Sequence, residues 1–447
     1  MTTTLSQAPT AGPAPAVDTS RAPGVGGPSL ASARPDPDDR DPRRALDELA
    51  RWRAGGGPAE RFPYEAVLGH YRAVGKNAVG EELLTALRAV DTRDTAEPHA
   101  ADDAQNTIGA RNTAETRSTA GPHAADPAAR LLADWLPQVV DGRHGDYDSY
   151  LGSPVFASLT AGGASPDEVI AALLADVVAT EAATLAGAPA GLPRTRAALR
   201  ALVTRTGLLT GRPSRSDAAA TPERAVDTPD TPDIPDAPED PEDLARACAE
   251  AVAEAREAVP ARVLRAVELT LTPTTRSHDE QMFIRTIQIF EAVFAAVVRA
   301  VAEATAELAA GRADAARARL AGAVRQVAGT SGVFRVLTTM PKDAFAVIRA
   351  NTDGRSAVQS RAYRAVERSC PALHVALLDS GLPRDGLLPV MAELDDAWGA
   401  MKRTHWGITM KIIGMVRGTG GTAGASYLRE AAEARLFPSL GPAHRAR

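Results

Sequence analysis

Three features of this 447-residue sequence predict an all-α fold. Alanine-rich segments carry leucine and valine at helical spacing, and alternating runs of β-branched residues are few. From Leu244 the helical pattern continues nearly to the end of the chain. The sequence therefore predicts a helical bundle with an amino-terminal tail and low-complexity insertions.

Helical regions alternate with stretches of low complexity. Residues 1–41 are rich in Pro, Ala, Gly, Ser and Thr and have almost no large apolar side chain, so we expect a disordered tail. Residues 91–127 and the acidic, Pro-rich residues 212–243 are predicted to be linkers. The predicted helical regions are 42–90, 128–211 and 244–440, and a short tail of residues 441–447 follows.

Charge and cysteine content exclude several classes of function. The net charge of −6 is mild and basic residues are scattered, which argues against a nucleic-acid partner or an anionic membrane surface. Cys248 and Cys370 lack the paired spacing of zinc, thioredoxin-type or c-type haem sites. Without a signal peptide or a membrane-length apolar run, we expect a cytoplasmic protein that binds a small molecule.

A helix is predicted to start after Ser277. Ser277 can accept the backbone N–H of Glu280 while the Glu280 side chain reaches back, which would form a capping box. Taken alone, the apolar stripe that follows is typical of an ordinary core helix. The residues that share this face are Phe283, Ile287, Phe290 and Phe294.

A later helix carries a histidine on its apolar face. His405 lies in a stripe with Trp398, Met401 and Ile408 at steps of three and four. A lone histidine in such a stripe is more often a core residue than a ligand. The sequence GTGGTAG follows, and its glycines permit positive φ and close approach of the backbone to a ligand. It lacks the Gly-Lys-Ser/Thr of a phosphate-binding loop.

Four segments together resemble the tryptophan 2,3-dioxygenase family. They are YDSYL from Tyr147, HDEQMFIRTIQIFEAVF from His278, SAVQSRAYRAVE from Ser356 and WGAMKRTHWGITMKIIGMVRGTGGTAGASY from Trp398. The resemblance covers roughly residues 278–440, with the YDSYL segment as an outlier, and residues 1–140 have no counterpart that we can name. Ile287 stands where the family has its distal histidine, and the family's Trp-Arg pair before the ligand is here Met401-Lys402.

The resemblance implies a haem b cofactor and its ligand. His405 would be the axial ligand of the iron, with Trp398 and Gly418 beside the cofactor. Phe283 and Ile287 would lie on the opposite, reacting side of the haem. Because isoleucine has no polar atom, it cannot act as a base or bind an indole N–H.

The resemblance also implies how an aromatic amino acid would bind. Arg364 matches the family's carboxylate-binding arginine, and a planar guanidinium suits a bidentate clamp. The loop that contains Thr419 and Gly420 would close over the substrate. For Tyr147, Tyr150 and Leu151 the resemblance implies packing on the substrate ring across a subunit boundary, in a homodimer or homotetramer. Ordinary core positions remain the alternative for these three residues.

Three functions stay open at this point. The first is a dioxygenase-like enzyme that inserts O₂-derived oxygen into the ring of L-tryptophan or a related aromatic amino acid. The second is a haem monooxygenase or peroxygenase that hydroxylates such an amino acid, since Ile287 departs from the family. The third is a non-catalytic haem-binding protein, against which the retained Arg364 and GTGG sequence count, because a haem sensor needs no amino-acid clamp.

Overall fold

The chain folds into helices. A computed structural model describes residues 37–90, 126–140, 147–185, 191–210, 237–351, 360–412, 414 and 425–440. Every regular element in these ranges is an α-helix or a 3₁₀-helix, which confirms the predicted all-α class. None of the described helices is long and apolar enough to cross a membrane.

The first four helices form a compact group around aromatic residues, which we call the N-terminal module (residues 37–90 and 126–140). Its core packs Trp135 edge-on against Phe62 and Tyr64, at ring-centroid distances of 5.6 and 4.9 Å. Pro37–Arg40, at the end of the predicted tail, forms a 3₁₀-helix whose Asp39 pairs with Arg44. The helices are α1 (Arg43–Ala54), α2 (Tyr64–Val74), α3 (Glu81–Arg88) and α4 (Pro127–Val140).

The remaining helices form a larger core around one long central helix, α11. Helix α11 packs against α7, α12 and α15, and α16 packs against α12 and α17. The bounds are α5 (Tyr147–Leu151), α6 (Ser153–Ala161), α7 (Pro166–Ala182), α8 (Leu192–Thr210), α9 (Pro241–Ala258), α10 (Ala261–Leu269), α11 (His278–Ala309), α12 (Ala313–Ala328), α13 (Thr330–Leu337), α14 (Lys342–Asn351), α15 (Arg361–Asp379), α16 (Leu387–Ile412) and α17 (Ala425–Glu433).

Two helix starts follow from local capping. Ser165 accepts the backbone N–H of Glu168, whose side chain accepts the Ser165 N–H, so α7 begins with a full capping box. Asp240 accepts two backbone N–H groups of the first turn of α9. This helix therefore begins inside the segment 212–243 that the sequence predicts to be a linker.

Helix α11 starts where the sequence predicts, but the predicted capping box is wrong. Ser277 is the N-cap residue, yet its side chain makes no capping hydrogen bond. The buried Glu280 carboxylate instead accepts hydrogen bonds from the backbone N–H and hydroxyl groups of both Thr274 and Thr275. Four donors satisfy a buried charge far better than one backbone N–H does.

A buried ion pair fixes α11 to α7. The Arg285 Nε lies 2.6 Å from Asp176 Oδ2, and both side chains are almost fully buried. Arg285 also donates to the Thr270 hydroxyl and to Gln288 Oε1, at 3.2 and 2.9 Å. Because water does not reach this site, the two charges depend on each other.

We expect Asp176→Asn to destabilise the protein strongly, because it leaves Arg285 buried without a counter-charge. The unfolding free energy from urea denaturation should fall by about 3–5 kcal/mol. Asp243→Asn is the matched control, since it breaks an exposed ion pair with Arg246 and should cost less than about 1 kcal/mol. Equal losses in the two variants would contradict the role of the buried pair.

Candidate functional site

His405 lies two-thirds of the way along α16, in a stripe that faces the core. Trp398, Met401 and Ile408 in this stripe are buried, whereas the His405 ring is half-buried. The ring is nearly parallel to that of Phe334 on α13, with centroids 6.4 Å apart. No side chain or backbone group among the described residues hydrogen-bonds to the His405 ring nitrogens.

The protonation state of His405 follows from its surroundings. Burial lowers the pKa of His405 to about 4, so the imidazole is neutral at neutral pH. We call the surroundings of this ring, beside Phe334 of α13, the recess. Neutral imidazole with a free nitrogen lone pair is the form that binds a metal.

The donor set around His405 suits one kind of metal group. No group of three or more His, Cys, Asp and Glu side chains that could hold a metal ion is found in the described ranges. A single neutral histidine can still bind a metal whose other ligands come with it, as the iron of a porphyrin does. A haem with one protein ligand is a group that this single histidine can hold.

An aromatic cluster joins the helices around this recess. Trp398 is fully buried and stacks on Tyr363 of α15, with ring centroids 5.2 Å apart. Phe294 of α11 meets both rings edge-on, at 5.4 and 5.5 Å. Phe290, one turn earlier, lies 4.7 Å from Phe334. The Trp398 indole N–H has no partner among the described residues, so this cluster keeps one unused donor.

Ile287 belongs to a smaller apolar cluster on the same helix. It packs with the buried side chains of Leu151, Leu271 and Ile284 and with the half-buried Tyr150. Phe283, one turn earlier, contacts instead Phe345 of α14, with ring centroids 5.7 Å apart. The two residues predicted for the distal side are thus neighbours on α11 but face different partners.

Two residues of the YDSYL segment lie directly on α11 of their own chain. The Tyr150 hydroxyl donates to Glu280 Oε1 at 3.2 Å, and Gln288 Nε2 donates to the Leu151 carbonyl at 2.9 Å. Tyr147 is the first residue of the same helix, α5. Tyr150 and Leu151 thus contact the central helix of their own chain. The contact across a subunit boundary that the resemblance implies stays a prediction.

Arg364 lies on the first turn of α15 and is exposed. Its guanidinium has no ion pair or hydrogen bond to any described residue. The turn itself is anchored, because the N-cap Ser360 donates to Glu291 of α11 at 2.7 Å and Arg361 lies 3.6 Å from Asp148 of α5. The start of α15 is therefore fixed in place, and the Arg364 guanidinium that it carries has no partner among the described residues.

The predicted glycine loop falls largely outside the described residues, and Gly418, Thr419 and Gly420 are among those left out. The preceding helix end is described. Helix α16 ends at Ile412, and Gly414 has φ 77° and donates its N–H to the Thr409 carbonyl. A glycine in this left-handed conformation is a common way to stop a helix.

Sequence reasoning missed three residues that hold the site together: Glu280, Gln288 and Phe334. Glu280 was assigned to a cap, although two threonines lie just before it as alternative donors. Gln288 lies beside the apolar face and received no role, although an amide next to such a face is itself a signal of a buried hydrogen bond. Phe334 gave no signal, because its contact with His405 depends on how α13 packs.

Comparison with known proteins gives one short match. Tryptophan 2,3-dioxygenases of Bordetella pertussis (strain Tohama I) and Bordetella parapertussis (strain 12822) are each 42% identical to this chain over 50 residues. The match covers 11% of this chain and 18% of each relative. The chain thus spans less than a fifth of the length of these curated relatives. No family model matches the chain, and no solved structure matches it significantly.

We expect the lowered pKa of His405 to make stability depend on pH. Between about pH 6.5 and pH 4 the unfolded chain binds a proton at His405 that the folded chain does not bind. The unfolding free energy of the haem-free protein should therefore fall as the pH drops through this window. In His405→Gln the slope of unfolding free energy against pH should be shallower; identical slopes would mean that His405 is not desolvated.

Proposed function

We propose that this protein is a haem-dependent oxygenase that acts on an aromatic amino acid, L-tryptophan or a close relative. The observation that carries the proposal is His405, which burial keeps neutral, which has no hydrogen-bond partner for its ring among the described residues, and which stacks beside Phe334 at the edge of an aromatic cluster. The short similarity to tryptophan 2,3-dioxygenases supports the same reading.

His405 would hold the iron of haem b, and Phe334 and Trp398 would line the cofactor. Haem, when bound, supplies an iron centre at which oxygen is activated for transfer to the substrate ring. The contribution of this chain is to keep the imidazole neutral by burial and to keep water away with Phe290 and Phe294.

Arg364 would bind the substrate carboxylate. Its guanidinium has no partner among the described residues, and its helix start is fixed to α11 and α5 by Ser360 and Arg361. A carboxylate held by two parallel hydrogen bonds fixes the orientation of the amino acid. In this proposal Thr419 and Gly420, together with Gly418, close over the bound substrate.

The ring of the substrate would pack against an apolar wall formed by Tyr150, Leu151, Leu271 and Ile287. The only polar atom that these four side chains carry, the Tyr150 hydroxyl, already donates to Glu280. This hydroxyl gives its proton to Glu280, so its oxygen is the one acceptor that these four side chains carry. The rest of the wall selects by shape rather than by hydrogen bonding. A ring substituent that is apolar should be tolerated there.

That apolar wall is also the observation that favours a second function. An enzyme that hydroxylates an aromatic amino acid, with peroxide or with O₂ and a two-electron reductant that reduces the second oxygen atom to water, needs no acceptor for an indole N–H. The mass of the products made by the haem-loaded protein from L-tryptophan and L-tyrosine distinguishes the two reactions, since they add two oxygen atoms or one. Product from neither amino acid under O₂ or peroxide would reject both enzyme functions.

We expect His405→Ala to abolish specific haem binding. Titration of the haem-free wild type with haem, followed by reduction, should give the absorption spectrum of five-coordinate ferrous haem with one histidine ligand. The variant should lose that spectrum. His374→Ala is the control, because His374 is a buried histidine that bonds to Ser439 away from the recess. A histidine-ligated spectrum retained in His405→Ala would refute the ligand assignment.

We expect Ile287→His to separate the dioxygenase from the hydroxylase. In a tryptophan dioxygenase the added imidazole should preserve or raise formation of the two-oxygen product. In a hydroxylase it should crowd the wall and lower turnover. Ile287→Leu is the control, since it keeps the wall apolar. Equal activity of both variants and the wild type on every aromatic amino acid would mean that Ile287 does not face the substrate.

A further inference from the structure

The N-terminal module holds the end of α10 and the link from α10 to α11, residues 268–277, which we call the connector. Arg72 Nη2 and Nε donate to the carbonyls of Glu268 and Leu271, at 2.6 and 3.4 Å. Trp135 Nε1 donates to the Leu269 carbonyl at 2.9 Å. The module thus directs side-chain donors at main-chain acceptors of a segment far away in sequence.

Two further contacts complete this attachment. The Lys76 backbone N–H donates to the Pro273 carbonyl at 2.8 Å, and Gln138 Nε2 donates to the Thr272 hydroxyl at 2.9 Å. Gly75 has φ 84°, and a Cβ atom at this position would lie 2.7 Å from the Thr274 carbonyl oxygen. The module backbone therefore approaches the connector more closely than any residue other than glycine allows.

The connector in turn holds the apolar wall. Leu271 is a member of the wall cluster and packs with Ile287. Thr274 and Thr275 bind the Glu280 carboxylate, and Glu280 accepts the Tyr150 hydroxyl. A continuous series of contacts therefore runs from the N-terminal module through the connector to the wall.

We propose that the N-terminal module is a positioning device for the substrate-binding wall, with Arg72 and Gln138 as positioning residues. The module belongs to residues 1–140, for which the family resemblance offers no counterpart. Arg72, Trp135 and Gln138 of the module bond to the connector, and no hydrogen bond within the described part of the chain joins the module to His405 or Arg364. That the wall binds the substrate rests on the proposed function. That the module holds the connector and the wall in place, which is the structural half of the inference, does not.

Loosening the connector should weaken the wall without changing the cofactor site. Arg72→Met removes two bonds to the connector, and Gln138→Met removes one with almost no change in side-chain volume. Tyr71→Phe is the matched control, because it removes a buried bond of 2.7 Å to the Val139 carbonyl, inside the module. If Arg72→Met does not fold, Gln138→Met alone carries the test.

The first measurement is amide hydrogen exchange at Thr274 and Thr275 in the haem-free protein. Both N–H groups donate to Glu280, so a looser connector should exchange faster, by about 5- to 30-fold. Tyr71→Phe should leave these two amides unchanged. Exchange in the Met variants that matches the control would overturn the proposal, whatever the enzyme does.

The second measurement is aromatic amino-acid binding by the haem-loaded protein. The Kd and KM should rise by about 5- to 30-fold in the Met variants, while kcat and the haem spectrum stay as in Tyr71→Phe. Faster exchange with unchanged amino-acid affinity would mean that the module does not position a substrate-binding wall. Faster exchange in a protein whose wild type binds no aromatic amino acid would reject the proposed function and leave the structural half standing.

Discussion

The burial of α11 is the constraint on which the rest of the structure depends. A helix surrounded by other helices must satisfy every polar side chain that it carries, because an unpaired polar group in the core costs several kcal/mol, roughly 2–7. Glu280, Arg285 and Gln288 are all buried on this helix. Each therefore binds a different segment: Glu280 the connector and Tyr150, Arg285 the α7 carboxylate of Asp176, and Gln288 the Leu151 carbonyl.

These polar attachments leave the apolar part of α11 free to shape the candidate site. Phe290 packs against Phe334, whose ring lies beside His405, and Phe294 packs against Trp398. Ile287 belongs to the wall that α5 and the connector complete. Removal of water acts on both sides. It favours the neutral form of His405 on one side, and on the other it brings Leu151, Leu271 and Ile284 together in a buried apolar cluster.

Sequence-based prediction succeeded where a feature depends on local rules. The start of α11 and the stripe of α16 follow from residues a few positions apart, so helical periodicity alone identifies them. The capping box at Ser277 failed because two competing donors, Thr274 and Thr275, precede the helix. A capping rule considers the first turn, whereas a buried carboxylate binds the donors that surround it in space.

The sequence by itself determined the helical class, the apolar faces, the histidine in its stripe and the absence of an imidazole at position 287, because these depend on residue type and spacing. Only the tertiary structure decided which faces meet. The Tyr150–Glu280 contact joins residues 130 positions apart, and the attachment of Arg72 to the connector spans 196. The packing of whole helices sets such distances, and a single sequence carries no local signal for them.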